Sequence, residues 1–513
     1  MRAAYKAAFV LASALSIALI VVPAAAADHP LSLDDAIDMA LRKNEGLVIE
    51  RESLDAARAG VTRAHGAYDP LLQLDGAWSK TSEPLAFPSG TSPDQIGPEQ
   101  KTAEGGASLQ QLLPTGGSLL LRARGARETT EDPLALLSPA YRTRVGAELR
   151  QPLLRDRATD QARLSVRVAN ADREGATASL RRAVTETVAA VERAYWTLVA
   201  ARLQVNVRDE AVRLAEQQLG ETKDRMETGD VPKTEIAQPR AELERRRGEL
   251  LASSEALSRA ENALKLLILD GVSDPIWNQR VAPSEDAAVE VVAVDVASSL
   301  NRALTIRPEL SIAGSVVSRR RAESAFARNS VWPSLDAVVS YDRFGIAGSG
   351  GTLPSNLDGT FSQSFESLGR GDYDAVRAGV VLGLPILNRS ARGNAAVARH
   401  VERQAEADQA RVRKAIQAEV LDAAAALETT GQRIEAARSG REAAEVQLSA
   451  ERDRYETGLS TNFLVLTRQN DLSRAKLDEI SALTDYRMAR TEMARATGSL
   501  IEDRGIDVGG KSR

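Results

Sequence analysis

The chain has 513 residues, no cysteine, three histidines and a formal net charge of −5. Without Cys there is no disulfide framework and no thiolate metal site, and a charge so near balance does not by itself mark a nucleic-acid or membrane-surface binder. Ala, Arg, Glu and Leu dominate long tracts, the composition of long helices and coiled coils.

Arg2 and Lys6 precede an apolar run from Ala7 to Val22, then Pro23 and Ala25-Ala26-Ala27. A basic start, an apolar stretch and small residues before a cleavage point read as a signal peptide over 1–27, with the exported chain opening near Asp28. No Cys follows that point, so no lipid anchor is expected on the mature N-terminus. No later run of about 18 apolar residues occurs, so no spanning helix is expected.

Two stretches then repeat the same plan. Leu31-Ser32-Leu33-Asp34-Asp35-Ala36-Ile37 opens an amphipathic helix running toward His65, and Val294-Asp295-Val296-Ala297-Ser298-Ser299-Leu300 opens its counterpart. One constant offset places Leu33 on Val296, Leu41 on Leu304, Leu47 on Leu310 and Asp69-Pro70 on Trp332-Pro333. Each Pro stops its helix.

After each Pro the period changes to two, the signature of a strand with one apolar face. Leu72, Leu74 and Trp78 oppose Gln73, Asp75 and Ser79; Leu335, Ala337, Val339 and Tyr341 oppose Ser334, Asp336, Ser340 and Asp342. The returning strands are Thr143, Val145, Ala147 and Leu149 against Arg142, Arg144, Glu148 and Arg150, and Val376, Ala378, Val380 and Leu382 against Arg377 and small residues. The first copy adds a hairpin, Ala107 to Leu113 and Ser118 to Gly125 about Pro114-Thr115-Gly116-Gly117. Polar loops are expected over 80–106, 126–140 and 345–372.

Each copy closes on Pro (Gln151-Pro152-Leu153-Leu154; Leu384-Pro385-Ile386-Leu387) and enters a long helical hairpin. In the second copy Ile416, Val420, Ala423, Leu427, Ile434, Ala437, Ala444 and Leu448 form a heptad-like seam with small residues. The spacing predicts helices over 391–456 and 463–497, and in the first copy over 159–228 and 235–269, where Pro239 must kink the helix or delay its start. The hairpin tips are Arg225-Met226-Glu227-Thr228-Gly229 and Arg454-Tyr455-Glu456-Thr457-Gly458, each Gly placed for a left-handed helix stop. The division is a first repeat over 28–270, a linker over 271–293, a second repeat over 294–498 and a flexible tail over 499–513.

The strands are too few to close a membrane barrel from one chain, and an open edge cannot face lipid. Either several chains pool their strands or the sheet is small and soluble. The duplicated tips, the Leu-Pro-Thr-Gly-Gly turn at 113–117, Gln151-Pro152-Leu153-Leu154 and the opening Leu31 to Ile37, in this order, resemble the TolC-like outer-membrane efflux proteins. The resemblance spans essentially the whole exported chain. It implies an α+β membrane protein: a homotrimer whose transmembrane β-barrel continues into a long periplasmic α-helical barrel. It implies a passive exit duct in the outer membrane of a Gram-negative bacterium, set in outer-membrane lipid. The duct would dock to a periplasmic adaptor and an inner-membrane pump of the RND or ABC type, serving a tripartite efflux pump or a type I secretion system. The competing class is an exported, non-channel coiled-coil protein with a structural or adaptor-like role.

The resemblance also implies site residues. Gly229, Asp230 and Val231, with Gly458, Leu459 and Ser460, match the adaptor-docking tips. Tyr455 matches a Tyr that bonds a Thr-Asp pair in the family's closed aperture; Thr234 and Glu235 stand at the pair, Glu replacing Asp. Ser460 stands where the best-known member has Arg, and Leu464 and Thr467 where it has Asp, so closure around Phe463 and Leu464 is expected to be apolar. Arg142, Arg144, Glu148 and Arg150 should line the barrel lumen. Two strands per repeat give twelve per trimer; the additional pair in the first repeat either raises that to eighteen or extends above the membrane as a hairpin, and both stay open.

Other motifs fail on context. Gly505-Ile506-Asp507-Val508-Gly509-Gly510-Lys511-Ser512 spells a phosphate loop, but no helix can follow it before Arg513. His29, His65 and His400 lack metal-ligand spacing, and Asp34-Asp35 suit the first turn of a helix. No catalytic residue, metal, cofactor or nucleic-acid partner is expected.

Overall fold

A computed structural model of the chain describes residues 28–82, 97–132, 135–229, 231–350 and 357–507. The expected signal peptide over 1–27, the docking residue Asp230 and the end of the phosphate-loop-like string lie outside the described residues.

The described residues open with a short strand, β1 (Asp28–Leu31), and two helices, α1 (Leu33–Lys43) and α2 (Glu45–His65). Four strands follow: β2 (Leu71–Ser82), β3 (Glu99–Leu112), β4 (Ser118–Thr130) and β5 (Ala140–Pro152). The first hairpin is α3 (Gln161–Glu227) and α4 (Ala237–Ile268), and a short strand β6 (Arg280–Pro283) lies in the connection beyond. The second half runs α5 (Val296–Ile306), α6 (Pro308–Asn329), β7 (Ser334–Gly348), α7 (Phe361–Arg370) and β8 (Tyr373–Gly383). It ends with the second hairpin, α8 (Arg389–Glu456) and α9 (Asn462–Thr497), and a last turn, α10 (Leu500–Asp503). Helix pair, strands and hairpin thus occur in the same order twice.

Each opening helix is broken where one was expected. Asn44 and Arg307, positions equivalent under the offset, share an extended conformation (φ −67°, ψ 120° and φ −61°, ψ 127°). Asn44 caps α2 by accepting from Leu47 N, and Pro308 takes the first position of α6, where its missing N–H costs nothing. Pro239 delays α4 in the same way. It occupies the third position of the helix, after a 3-10 turn over Lys233–Ile236.

Among the described residues the main sheet has six strands in the order β2-β3-β4-β5-β7-β8, all antiparallel. β2 and β8 are its two edges, and both are exposed along almost their whole length. The strands run further into the loops than the alternation suggested, because residues such as Lys101, Thr102, Glu128 and Thr129 pair through backbone whatever their polarity. The loop expected over 345–372 holds α7, which packs on the sheet.

α3 and α8 contain 67 and 68 residues, each about 100 Å long at 1.5 Å per residue. The expected seam of α8 is buried from Ile416 to Leu448, with Ala437 at its margin. One core gathers α1, α2, α3, α4 and the final turn around Val188, Tyr195, Leu198 and Leu264; a second joins α5, α8 and α9 around Val420, Leu427 and Tyr486.

Two buried tyrosines hold the connection between the halves. Tyr195 OH donates to Leu31 O (3.1 Å) and accepts from Ser284 N (3.1 Å), beside the parallel pair β1–β6; Tyr486 OH accepts from Val292 N (2.9 Å). The tail is not frayed at its start: Leu500 and Ile501 are buried in the first core, and Arg504 pairs with buried Glu192 (2.7 Å).

A charged cluster crosses the junction. Arg307, 4% exposed, forks onto Glu309 through Nε (2.9 Å) and Nη2 (2.8 Å), reaches Glu419 (2.7 Å) and donates to Ala496 O. Arg495 pairs with Glu186 (2.9 Å), Glu419 and Glu492. Burial pushes the Glu309 carboxyl up, but the Arg307 fork outweighs it and holds it below the ordinary range. Arg495 does the same for Glu492.

Candidate functional site

The two ends of the molecule carry the candidate residues. At the helical end both hairpins stop in the left-handed geometry that Gly permits: Gly229 at φ 85° and Gly458 at φ 76°. At the second tip Leu459 N donates to Arg454 O (2.8 Å) and Gly458 N to Tyr455 O (3.1 Å), the paired bonds of a Schellman stop. Leu459, 81% exposed, projects beyond it, and Phe463 and Leu464 are exposed on the first turn of α9. Val231 is half-buried. Ser460 bonds the buried Glu451 carboxylate of α8.

Tyr455 lies under Arg225, the guanidinium carbon 5.2 Å from the ring centroid. This contact joins the ends of α3 and α8. Thr234 and Glu235 stand exposed on the 3-10 turn before α4, and no hydrogen bond or ion pair among the described residues links them to Tyr455. The first-hairpin partner of Tyr455 within one chain is therefore Arg225, a residue of the tip motif to which the sequence assigned no contact.

Behind the tips the hairpins meet on a polar seam. Gln218 of α3 and Asn462, Gln469 and Ser473 of α9 are all buried, and Gln218 Nε2, Gln469 Oε1, Ser473 Oγ and both Asn462 amide atoms have no hydrogen-bond partner among the described residues. A cavity of about 680 Å³ opens beside it, lined by Gln218, Arg225, Arg452, Tyr455 and Gln469 among others. Unpaired buried polar atoms cost about 1–3 kcal/mol each, so this contact is weaker than an apolar seam of the same shape. Further up, Arg246, 2% exposed, clamps three helices: it donates to Ala211 O (2.9 Å), Glu242 (2.8 Å) and Asn470 (3.3 Å). Burial raises the Glu242 carboxyl, but Arg245 and Arg246 outweigh it and hold it at about 2.

At the other end the sheet has two unlike faces. Arg142, Arg144, Glu148 and Arg150 share one of them, as expected. Cross-strand ion pairs cover it: Arg144–Asp342 (2.9 Å), Arg150–Asp336 (2.5 Å), Arg122–Glu148 (3.1 Å), Arg142–Glu128 (3.3 Å) and Arg124 with Asp75 and Glu104 (3.5 Å each). By the register, the opposite face carries Leu72, Leu74 and Trp78 of β2, Leu121 and Ala123 of β4, Val145 and Leu149 of β5, and Val376, Val380 and Leu382 of β8. Most of these are exposed. No helix among the described residues is long and apolar enough to cross a membrane.

A strongly two-faced sheet with open edges, continued by helical hairpins about 100 Å long, defines the outer-membrane channel fold. Solved structures share it. The CmeC outer membrane channel of Campylobacter jejuni aligns with a TM-score of 0.61 at 16% identity, covering 93% of this chain and 90% of that one. The outer membrane protein VceC of Vibrio cholerae gives 0.62 at 16%, covering 91% and 96%. The open-state MtrE outer membrane channel of Neisseria gonorrhoeae gives 0.61 at 17%, covering 91% and 89%. Residues 299–499, from α5 through α9, match the outer membrane efflux protein family. No curated protein matches the chain.

Proposed function

We propose that the protein is the outer-membrane exit duct of a tripartite efflux pump or type I secretion system, working as a homotrimer. The observation that carries this reading is the sheet: one face apolar and exposed, the other covered by ion pairs, and both edges open along their length. β2 leaves the helical end and β8 returns to it, so β8 of one copy and β2 of the next are antiparallel and able to pair. Six strands from each of three copies make an eighteen-stranded barrel, with the charged face inward and Arg142, Arg144, Glu148 and Arg150 lining the lumen. The repeated order of elements reflects an internal duplication, which lets three chains present six hairpins around one periplasmic tunnel.

Transport is passive, and the mouth is the moving part. The Arg225–Tyr455 contact and the exposed Phe463 and Leu464 hold it shut, while the poorly matched seam behind them lets the hairpins part. Thr234 and Glu235, exposed on their turn, face the neighbouring copy and close the ring with it. Gly229, Asp230 and Val231, with Gly458, Leu459 and Ser460, dock the periplasmic adaptor; an exposed Leu at a tip suits a partner better than solvent. Energy comes from the inner-membrane pump.

The test is direct. The protein should be found in the outer-membrane fraction as a heat-modifiable, detergent-dependent trimer that conducts in a planar bilayer. Soluble periplasmic monomer, or a trimer that never conducts, would reject the duct.

A further inference from the structure

α7 lies across the apolar face of the sheet, not beyond its rim. Its first residue, Phe361, sits over Gly125 of β4 and meets the Tyr141 ring edge-on at 6.1 Å. Thr143 Oγ1 of β5 donates to Ser364 O (3.0 Å), and a Cβ on Gly345 of β7 would lie 2.0 Å from that carbonyl. Gly125 and Gly345 are thus seats for a helix that crosses three strands. Ser364 and Ser367 are fully buried against the sheet. The helix marks a boundary on this face. Above it the register places Lys80, Lys101 and Arg127; below it come Leu72, Leu74, Leu121, Val145, Val376 and Val380.

Immediately below α7 an open groove of about 550 Å³ runs over the sheet. Leu72, Leu109, Leu121, Ala123 and Val145 form its floor, and Leu368 and Gly369 of α7 form its roof. Its lining is mostly apolar, with Ser108, Arg122 and Tyr341 also lining it and Arg343 standing at its upper end. Arg343 Nε donates to Tyr341 OH (2.8 Å), and its guanidinium reaches up beside Gly371 at the end of the helix. Its terminal nitrogens have no hydrogen bond or ion pair within 4 Å among the described residues; Asp374 is its register partner on β8. An arginine stem on a lipid-facing surface carries its charge toward the interface.

We propose that this groove is a lipid site, in which an acyl chain of an outer-leaflet lipid lies under α7 while the lipid's phosphate meets Arg343. The inference rests on the channel reading, since it needs the apolar face to be the membrane face. The groove is continuous with that face, is apolar where the chain would lie, and ends on a cation at the level where α7 marks the headgroup boundary. α7 is then an interfacial helix that holds one lipid on each copy.

The probe is lipid A, an acylated and phosphorylated disaccharide, added to the detergent-extracted trimer and counted by native mass spectrometry. The wild-type trimer should retain about one per chain. Ala123→Phe, which fills the floor, and Leu368→Glu, which puts a charge in the roof, should each lower retention about tenfold. Arg343→Gln should lower it several-fold, while Val380→Phe, on the same face but outside the groove, should leave it unchanged. Each variant is first shown to form a heat-modifiable trimer. Retention that is equal in wild type, Ala123→Phe and Leu368→Glu overturns the site, as does equal retention of zwitterionic phosphatidylethanolamine. If no outer-membrane trimer is recovered even for wild type, the channel reading fails first and this one with it.

Discussion

Arg225, at the end of the first hairpin, covers the ring of Tyr455 at the end of the second, its guanidinium carbon 5.2 Å from the centroid. A cation over an aromatic face at a partly exposed site contributes about 0.5–1 kcal/mol, a factor of roughly two to five in an opening equilibrium. Arg225→Ala and Tyr455→Ala should each raise the open probability of the purified trimer by that factor, and the double variant should open no further than either alone. Additive effects in single-channel recordings would show that the two residues act separately.

The buried polar seam makes the opposite prediction. Gln218 and Gln469 leave polar atoms unpaired between α3 and α9, and replacing such groups by apolar ones of similar shape is neutral or stabilising. Gln218→Leu with Gln469→Leu should slow amide hydrogen exchange at both tips and lower the open probability. Faster exchange would mean that those side chains are well paired in the assembled duct.

Arg246 tests the contact among α3, α4 and α9. Losing one partner of a buried ion pair costs about 3–5 kcal/mol, and the low end applies here because Arg245 still reaches Glu242. Arg246→Met should therefore destabilise the α3–α4–α9 contact by about 3 kcal/mol, measured by hydrogen exchange in those helices. Arg246→Met with Glu242→Leu should recover most of the loss, since no buried charge is then left alone.

Acid should loosen the helical part in a defined window. Glu242, Glu309 and Glu492 all have carboxyls held below the ordinary range, Glu242 at about 2. A depressed carboxyl contributes its full stability above its unfolded pKa and loses it as pH falls through the folded one. Thermal stability should be flat from about pH 7 to 5 and decline from about pH 5 toward 2. Glu242→Gln should lower stability at neutral pH and flatten the acid limb; an unchanged limb would place the acid sensitivity elsewhere.

Gly345 is the steric seat of α7, with Ser364 O 2.0 Å and Leu368 N 2.9 Å from where a Cβ would stand. Backbone atoms cannot turn aside as a side chain can, so Gly345→Val should lift the helix from the sheet. Protease cleavage within 361–370 in the folded trimer is the expected sign, and continued protection would show that the sheet accommodates the change.

Much of this architecture was legible in the residues. The seam from Ile416 to Leu448, the stops at Pro70 and Pro333, and the tips at Gly229 and Gly458 follow from local rules, and the structure has them in place. Strand alternation also placed Arg142, Arg144, Glu148 and Arg150 on one face. What escaped were features made by distant partners. β1 and β6 are four-residue strands that exist because they pair with each other across the chain. α7 is short, begins in a Gly/Ser/Asp-rich loop and is stabilised by glycines on two other strands. The Arg225–Tyr455 contact joins residues far apart in sequence, and neither tip alone announces it. The tail looked frayed because it is Gly-rich, yet Leu500 and Ile501 find room in a core built by the opposite end of the chain.

The open edges of the sheet have one more consequence, for biogenesis. A β2 or β8 that entered hydrocarbon alone would carry a row of unpaired amides and carbonyls, each costing several kcal/mol. In the proposed trimer one copy, or two, cannot remove that penalty; only the ring that joins the last edge to the first does so. On that reading membrane insertion and oligomer closure are a single event, with incomplete assemblies held outside the bilayer by their own backbone.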